Sequence, residues 1–193
     1  MNGHNIFLLI SFMVVMNKVI IQLWCLALLI SSSVLSQPAA IPTSDKSDGY
    51  VCLPCGSDCD KMSYSSAGTC GQCQMKLVRR STIVFGTIEP QKICSFIASH
   101  PTVVLLDVRT RAEFEGKGEP DFGGLKNAIN IPIQEFDRRI QELAAFKEKE
   151  IIVFCSHSRR SPQASYLLTQ NGFSKVFNMA GGMSVMTDGD CKR

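Results

Sequence analysis

The most chemically informative stretch of the chain is residues 151–161, which read IIVFCSHSRRS. An apolar run delivers Cys155 to a polar loop with two arginines, and Ser161-Pro162 then begins a helix-like segment. Backbone N–H groups and the dipole at a helix start favour negative charge. Such a setting turns a thiol into a thiolate nucleophile. The spacing predicts a reactive cysteine on an anion-binding loop, the alternative being a small buried core residue.

A second group of cysteines has the spacing of metal ligands. Two Cys-x-x-Cys pairs are separated by fourteen residues, as in four-sulfur tetrahedral sites. We expect structural zinc, with copper(I) as the alternative because cysteine and Met75 are soft ligands. Disulfides are the rival interpretation if the protein is exported. The candidate metal ligands are Cys52, Cys55, Cys70 and Cys73.

Apart from Cys25, which lies in the apolar N-terminal stretch, three further cysteines are left without an assigned role by these two patterns. Cys59 is either a spare ligand or half of a disulfide. Cys94 lies on an apolar helix face, and we expect it in the core. Cys191 lies in the charged tail, where it is either a free thiol or a resolving partner for Cys155.

The N-terminus reads as an export signal. Residues 6–30 are nearly all apolar, and Lys18 gives a positive start to the apolar run that follows it. Small and polar residues then extend to position 36, as in a secretory signal peptide. We expect residues 1–36 to be removed, with Met16 as the true start, and the mature protein to be periplasmic or extracellular. An uncleaved membrane anchor is the alternative, and only then do we expect contact with a membrane.

The bulk composition is that of an ordinary folded protein. The chain of 193 residues is 45% hydrophobic and 19% charged, with a formal net charge of +3. This charge is too small, and its basic residues too scattered, to indicate a nucleic-acid partner.

The chain divides into three parts after residue 36. Residues 37–49 read as a linker, and residues 50–80 form a cysteine-rich module too short to fold without a metal or disulfides. Residues 83–193 alternate strand-like and helix-like patterns, which indicates a parallel sheet with helices on its faces. The predicted strands are 102–108, 128–133, 151–154 and 175–178, and the predicted helices are 89–99, 110–115, 137–146 and 162–170.

Four stretches in the same order resemble the rhodanese family of sulfurtransferases. They are LDVRTRAEF at 106–114, GGLKNAINIP at 123–132, CSHSRRS at 155–161 and AGGM at 180–183. The resemblance implies an α/β fold, a rhodanese-like parallel sheet flanked by helices, here preceded by a small cysteine-rich knuckle. Residues 67–78 are in turn similar to the small heavy-metal-binding modules found beside metal transporters.

The resemblance implies a covalent sulfur-transfer chemistry. Cys155 would take a sulfane sulfur from a donor such as thiosulfate and pass it, as a persulfide, to cyanide or to a small or protein thiol. It also implies that Asp107, Arg109 and Glu113 form a structural charge network. The residues implied to bind substrate are Ser156, His157, Ser158, Arg159, Arg160 and Ser161.

Departures from the family pattern leave other functions open. Ser158 stands where the family has a glycine, which adopts positive φ easily. Asn127 stands where glycine is usual in a turn, and Met186 stands where the family frequently has a tryptophan. A non-catalytic metal-binding or sensing protein on the same scaffold is therefore the alternative function. A phosphatase is disfavoured because four residues, and not five, separate Cys155 from Arg160.

Overall fold

The computed structural model describes residues 42–43, 48–187 and 189–193. The expected signal peptide at 1–36, with its start at Met16, lies outside the described residues. Within the ranges that are described, no helix has the length and apolar character needed to cross a bilayer.

The N-terminal part forms a small antiparallel sheet around the cysteine-rich module. Its strands are β1 (Pro42–Thr43), β2 (Tyr50–Val51), β3 (Ser63–Tyr64) and β4 (Val78–Arg79), in the order β1-β3-β2-β4. A 3-10 helix at Asp58–Lys61 lies between β2 and β3. Residues 42–43 belong to the segment expected to be a linker, and they pair with β3.

The C-terminal part is built on a five-stranded parallel sheet. Its strands are β5 (Gly86–Ile88), β6 (Val104–Asp107), β7 (Ile129–Asn130), β8 (Glu150–Phe154) and β9 (Lys175–Met179), in the order β5-β9-β8-β6-β7. This sheet confirms the α/β fold class expected from the sequence. The edge strand β5 was not among the predicted strands.

Short helices connect the strands. They are α1 (Ile93–Ser99), α2 (Arg111–Phe114), α3 (Phe136–Arg139) and α4 (Ser161–Gln170). The single helix predicted at 137–146 is instead α3 followed by a 3-10 helix, Ile140–Phe146. Helix α4 starts with Pro162 in its first turn, where no N–H is needed. It ends before Gly172, whose φ of 84° suits the residue after a helix.

The side chains of the central strands alternate between two apolar clusters, one on each face of the sheet. In β8, Ile151 and Val153 belong to one cluster, while Ile152 and Phe154 belong to the other. Cys155 continues the first face, which also holds buried residues of α3, α4 and the cysteine-rich module. Strands covered on both faces read as continuous apolar runs, which is why β6 and β8 were predictable.

A disulfide joins Cys94 of α1 to Cys191 across 97 residues of sequence. The sequence-based expectation that Cys94 is simply a core residue was therefore incomplete, and Cys191 is not a resolving partner for Cys155. Only the fold reveals this pairing, because nothing in the spacing of the two cysteines brings them together.

Candidate active site

Cys155 lies immediately after β8, at the carboxyl end of the parallel sheet, where ligands of such sheets usually bind. Its side chain is buried in the apolar cluster, with 1% of its surface exposed. Its Sγ atom is 3.4 Å from the Oγ of Ser161, the first residue of α4. The strand and the helix thus fix both ends of residues 155–160, which we call the cysteine loop.

The backbone N–H groups of the cysteine loop are available to bind a ligand. The carbonyl oxygens of Cys155 and Ser156 accept hydrogen bonds from the N–H groups of Met183 and Ser184, at 2.8 and 2.9 Å. In the part of the chain that the structure describes, the N–H groups of residues 156–160 donate to no other protein group. A curled loop with unused N–H groups can bind an anion or a negatively charged sulfur.

Ser158 adopts the backbone conformation of the glycine it replaces. Its φ is +54°, in the left-handed region that costs an L-residue about 1–2 kcal/mol. Its buried hydroxyl donates to the carbonyl of Met179 at 3.4 Å and accepts from the Nδ2 of Asn178 at 3.3 Å. These contacts link the loop to β9 and compensate for part of the strain. Asn178 was not predicted as part of this region, although a lone amide within an apolar strand was a usable signal.

We expect Ser158→Ala to unfold at lower denaturant concentration than Ser158→Gly. Both changes leave the buried Asn178 amide without its acceptor, which destabilises by about 1–3 kcal/mol. Only alanine keeps the positive-φ strain, so its free energy of unfolding should be lower by about 1 kcal/mol. Urea titrations of both variants provide the measurement. Equal midpoints for the two variants would show that the loop has no strain at this position.

Arg160 is held by a carboxylate and is not free in the loop. Its Nη1 and Nη2 donate to the two oxygens of Glu113 at 2.7 and 2.6 Å, and Nη2 also reaches the Ser156 hydroxyl. Thr110 and Glu113 form a capping box at the start of α2, which orients the carboxylate. The Arg160 guanidinium holds the pKa of Glu113 well below its usual range, against burial, with help from Ser156 and Thr110.

The charge network expected at Asp107, Arg109 and Glu113 consists of two separate ion pairs. Asp107 and Arg109 form a fully buried pair at 2.7 Å, in which the Arg109 Nε also donates to both carboxylate oxygens. Asn130 joins this pair by donating to the carbonyl oxygens of Asp107 and Arg109. The pair fixes the end of β6 beside β7, whereas Glu113 pairs with Arg160.

The other predicted substrate-binding residues divide by exposure. His157 and Arg159 are exposed, and the His157 ring packs edge-on against Phe122 with centroids 5.1 Å apart. Ser156, Ser158 and Ser161 are buried. The structure therefore brings all six predicted residues onto one loop and its helix, with two of them facing solvent.

Comparison with protein families is consistent with this geometry. The family model described as "Rhodanese-like domain" matches residues 95–188. This region of the chain is a rhodanese-like domain. The matched region includes β6 to β9, the cysteine loop and α4.

Named relatives of the rhodanese-like domain include sulfurtransferases. The "Sulfurtransferase" of Allochromatium vinosum is 29% identical over 96 residues, 50% of this chain and 82% of that protein. The human single-domain sulfurtransferase TSTD1 is 30% identical, with a TM-score of 0.40, covering 50% of this chain and 89% of that structure. The Allochromatium vinosum relative supports a sulfur-transfer function in general terms.

A third relative shows how far the match extends. The "tRNA uridine(34) hydroxylase" of Cronobacter sakazakii is 30% identical over 87 residues, 43% of this chain. The chain spans 23% of that protein's length. The similarity therefore covers one domain of the hydroxylase, and its activity as a whole protein is not carried over.

The N-terminal cysteines form a cluster beside the rhodanese-like domain. The Sγ atoms of Cys52, Cys59, Cys70 and Cys73 all lie within 4.8 Å of one another, and the first three side chains are buried. The predicted set of ligands therefore differs at one position, because Cys59 is in the group and Cys55 is not. Cys55 instead lies with Cys59 and Asp60. We call the group of four the thiol cluster.

Proposed function

We propose that this chain is a sulfurtransferase that carries a sulfane sulfur on Cys155 as a persulfide. The observation that carries the proposal is a cysteine at the end of β8, inside a loop whose N–H groups at 156–160 donate to no other protein group in the described chain. Five amides without an acceptor, in the loop that begins at the cysteine, suit a reaction in which its sulfur is negatively charged before and after transfer.

The transfer takes place in two half-reactions. The Cys155 thiolate attacks the outer sulfur of thiosulfate, a Cys155 S–S bond forms, and sulfite leaves with the electron pair of the broken S–S bond. Cyanide or a thiolate then attacks the outer sulfur of the persulfide. Thiocyanate or a new persulfide is released, and the Cys155 thiolate is restored without any external oxidant or reductant.

Each loop residue has a role in this proposal. The Ser161 hydroxyl, 3.4 Å from Cys155 Sγ, stabilises the thiolate. The exposed His157 and Arg159 receive the anionic donor at the mouth of the loop. Arg160 contributes its positive charge while its position is fixed by Glu113.

The cellular setting is part of the proposal. We propose that the protein acts after export, in the periplasm or outside the cell, on small sulfur compounds and on a small or protein thiol as acceptor. Support comes from the disulfide between Cys94 and Cys191, since disulfides persist in oxidising compartments. Neither a nucleic acid nor, for the cleaved form, a membrane is among the proposed partners.

The proposal predicts that thiosulfate alone adds one sulfur atom to Cys155. Mass spectrometry of the protein after incubation and gel filtration should show a gain of about 32 Da on the peptide containing Cys155. Cyanide should then remove this mass and release thiocyanate. A Cys155 that gains no sulfur from thiosulfate or from persulfide donors, and that is alkylated slowly at neutral pH, would favour the non-catalytic alternative.

A further inference from the structure

The thiol cluster has the dimensions of a tetrahedral metal site. Zinc binds thiolate sulfur at about 2.3 Å, and four such bonds in a tetrahedron set the sulfurs about 3.8 Å apart. The Sγ atoms of Cys52 and Cys73 are 3.8 Å apart, and every pair within the cluster lies within 4.8 Å. In a disulfide, by contrast, the two bonded sulfur atoms are about 2.05 Å apart. The four thiols are thus gathered without being paired.

We infer that Cys52, Cys59, Cys70 and Cys73 bind one thiophilic metal ion, Zn²⁺ or Cu(I), and that Cys55 is outside the ligand set. This assignment departs from the Cys-x-x-Cys spacing, which selects Cys55. It follows from the arrangement of the chain between β2 and β3, where the 3-10 helix at Asp58–Lys61 turns Cys59 inward. The Cys59 side chain is fully buried.

Cys55 is occupied by another partner. The Asp60 carboxylate accepts hydrogen bonds from the backbone N–H groups of Cys55 and Gly56, the latter at 2.8 Å. The Cys55 thiol donates to the same carboxylate at 3.2 Å, and its sulfur is 3.7 Å from that of Cys59. The Asp60 carboxylate therefore fixes the turn that presents Cys59, and Cys55 supports this ligand from outside.

A hydrogen-bonded turn and a buried tyrosine hold the second pair of ligands, Cys70 and Cys73, in place. The N–H of Cys70 donates to the carbonyl oxygen of Met75 at 2.9 Å, and the N–H of Gln74 donates to the carbonyl oxygen of Cys70 at 3.0 Å. The buried Tyr64 hydroxyl lies 3.6 Å from the Cys70 sulfur. Contacts of this kind around metal ligands orient them and tune affinity. Gln74, with φ +60°, closes the turn that makes these contacts possible.

Metal binding at this site would stabilise the cysteine-rich module, which packs against the rhodanese-like domain. The buried thiols share one apolar cluster with residues of α4, and Thr82 contacts Tyr166 of α4 through their hydroxyls at 3.2 Å. The module has few large apolar side chains of its own, so the ion supplies part of its folding free energy. Because the thiol cluster and Cys155 are separate groups, this inference does not depend on the proposed sulfur transfer.

Metal analysis of the full chain tests the inference. Protein prepared with Zn²⁺ or with Cu(I) under reducing conditions should retain one ion per chain after desalting. Competition with a chelator then shows which of the two ions is held more tightly. Replacing the ion with Co²⁺ should give the intense visible absorption and the sulfur-to-cobalt charge-transfer band of tetrahedral thiolate coordination.

Two serine variants distinguish the ligand set that contains Cys59 from the one that contains Cys55. Cys59→Ser should weaken binding of Co²⁺ by more than about 100-fold, whereas Cys55→Ser should stay within about tenfold of the wild type. Equal losses in both variants, or a larger loss in Cys55→Ser, would overturn the assignment. If Cys59→Ser does not fold, Cys55→Ser decides the matter, because an unchanged four-thiolate cobalt spectrum in that variant supports the assignment and its loss overturns it. A wild type that retains no ion, or has these cysteines joined as disulfides, would overturn the site itself.

Discussion

Replacing Cys155 by serine is expected to lower the rate of thiocyanate formation from thiosulfate and cyanide by at least about a thousandfold. The hydroxyl oxygen has the position of the sulfur but cannot accept a sulfane sulfur as a persulfide. The change is nearly isosteric at a site with 1% exposure, so the fold should be retained. The measurement is the initial rate of thiocyanate release, together with circular dichroism and a thermal unfolding curve to verify folding.

Cys55→Ser provides the matched control for this experiment. Cys55 is also a buried cysteine, but its contacts are with Asp60 and Cys59 and not with the cysteine loop. The Cys55→Ser variant should therefore transfer sulfur at close to the wild-type rate. Substantial activity in Cys155→Ser would mean that another cysteine carries the sulfur. Equal inactivity of wild type and Cys155→Ser with thiosulfate and with persulfide donors would contradict the proposed sulfurtransferase.

The central part of the fold was predictable because burial leaves a direct trace in the sequence. The apolar runs at 102–108 and 151–154 correspond to β6 and β8, two of the three strands with neighbours on both sides. Strand β5 was missed because its three residues, Gly86–Ile88, are too few to show a pattern. The position of Cys155 followed from β8, since the residue after a buried strand reaches the carboxyl edge of the sheet.

The contacts between distant segments were not predictable in the same way. The Cys-x-x-Cys spacing selects Cys55 as a partner of Cys52, whereas the folded chain brings Cys59 to the cluster. The choice depends on Asp60, whose carboxylate holds the turn, and a local spacing rule contains no such information. The glycine replacement at Ser158 was visible in the sequence, but its compensation by Asn178 required knowing that β9 lies beside the loop.

Gly182 makes the closest backbone approach to the cysteine loop, and Gly182→Ala is expected to be strongly destabilising. Its φ of 69° and ψ of −164° lie in a region that is essentially restricted to glycine. A Cβ atom there would lie 2.5 Å from the carbonyl oxygen of Cys155 and 2.6 Å from that of Ser156. Both neighbours are backbone atoms, which cannot rotate away. We expect the free energy of unfolding to fall by about 3 kcal/mol or more.

Gly172→Ala is the matched control for a positive φ without crowding. Gly172 also has positive φ, at 84°, but a Cβ there would meet only the end of the Lys147 side chain at 4.0 Å. The Gly172→Ala substitution should lower the free energy of unfolding by about 1–2 kcal/mol, which is the cost of the positive φ alone. Gly182→Ala should also lower sulfur transfer under conditions where it remains folded, because it displaces the carbonyls bonded to Met183 and Ser184. Equal unfolding free energies for the two variants would show that the Gly182 turn does not support the loop, since neither its glycine-only backbone angles nor the clash would then add to the cost of a positive φ.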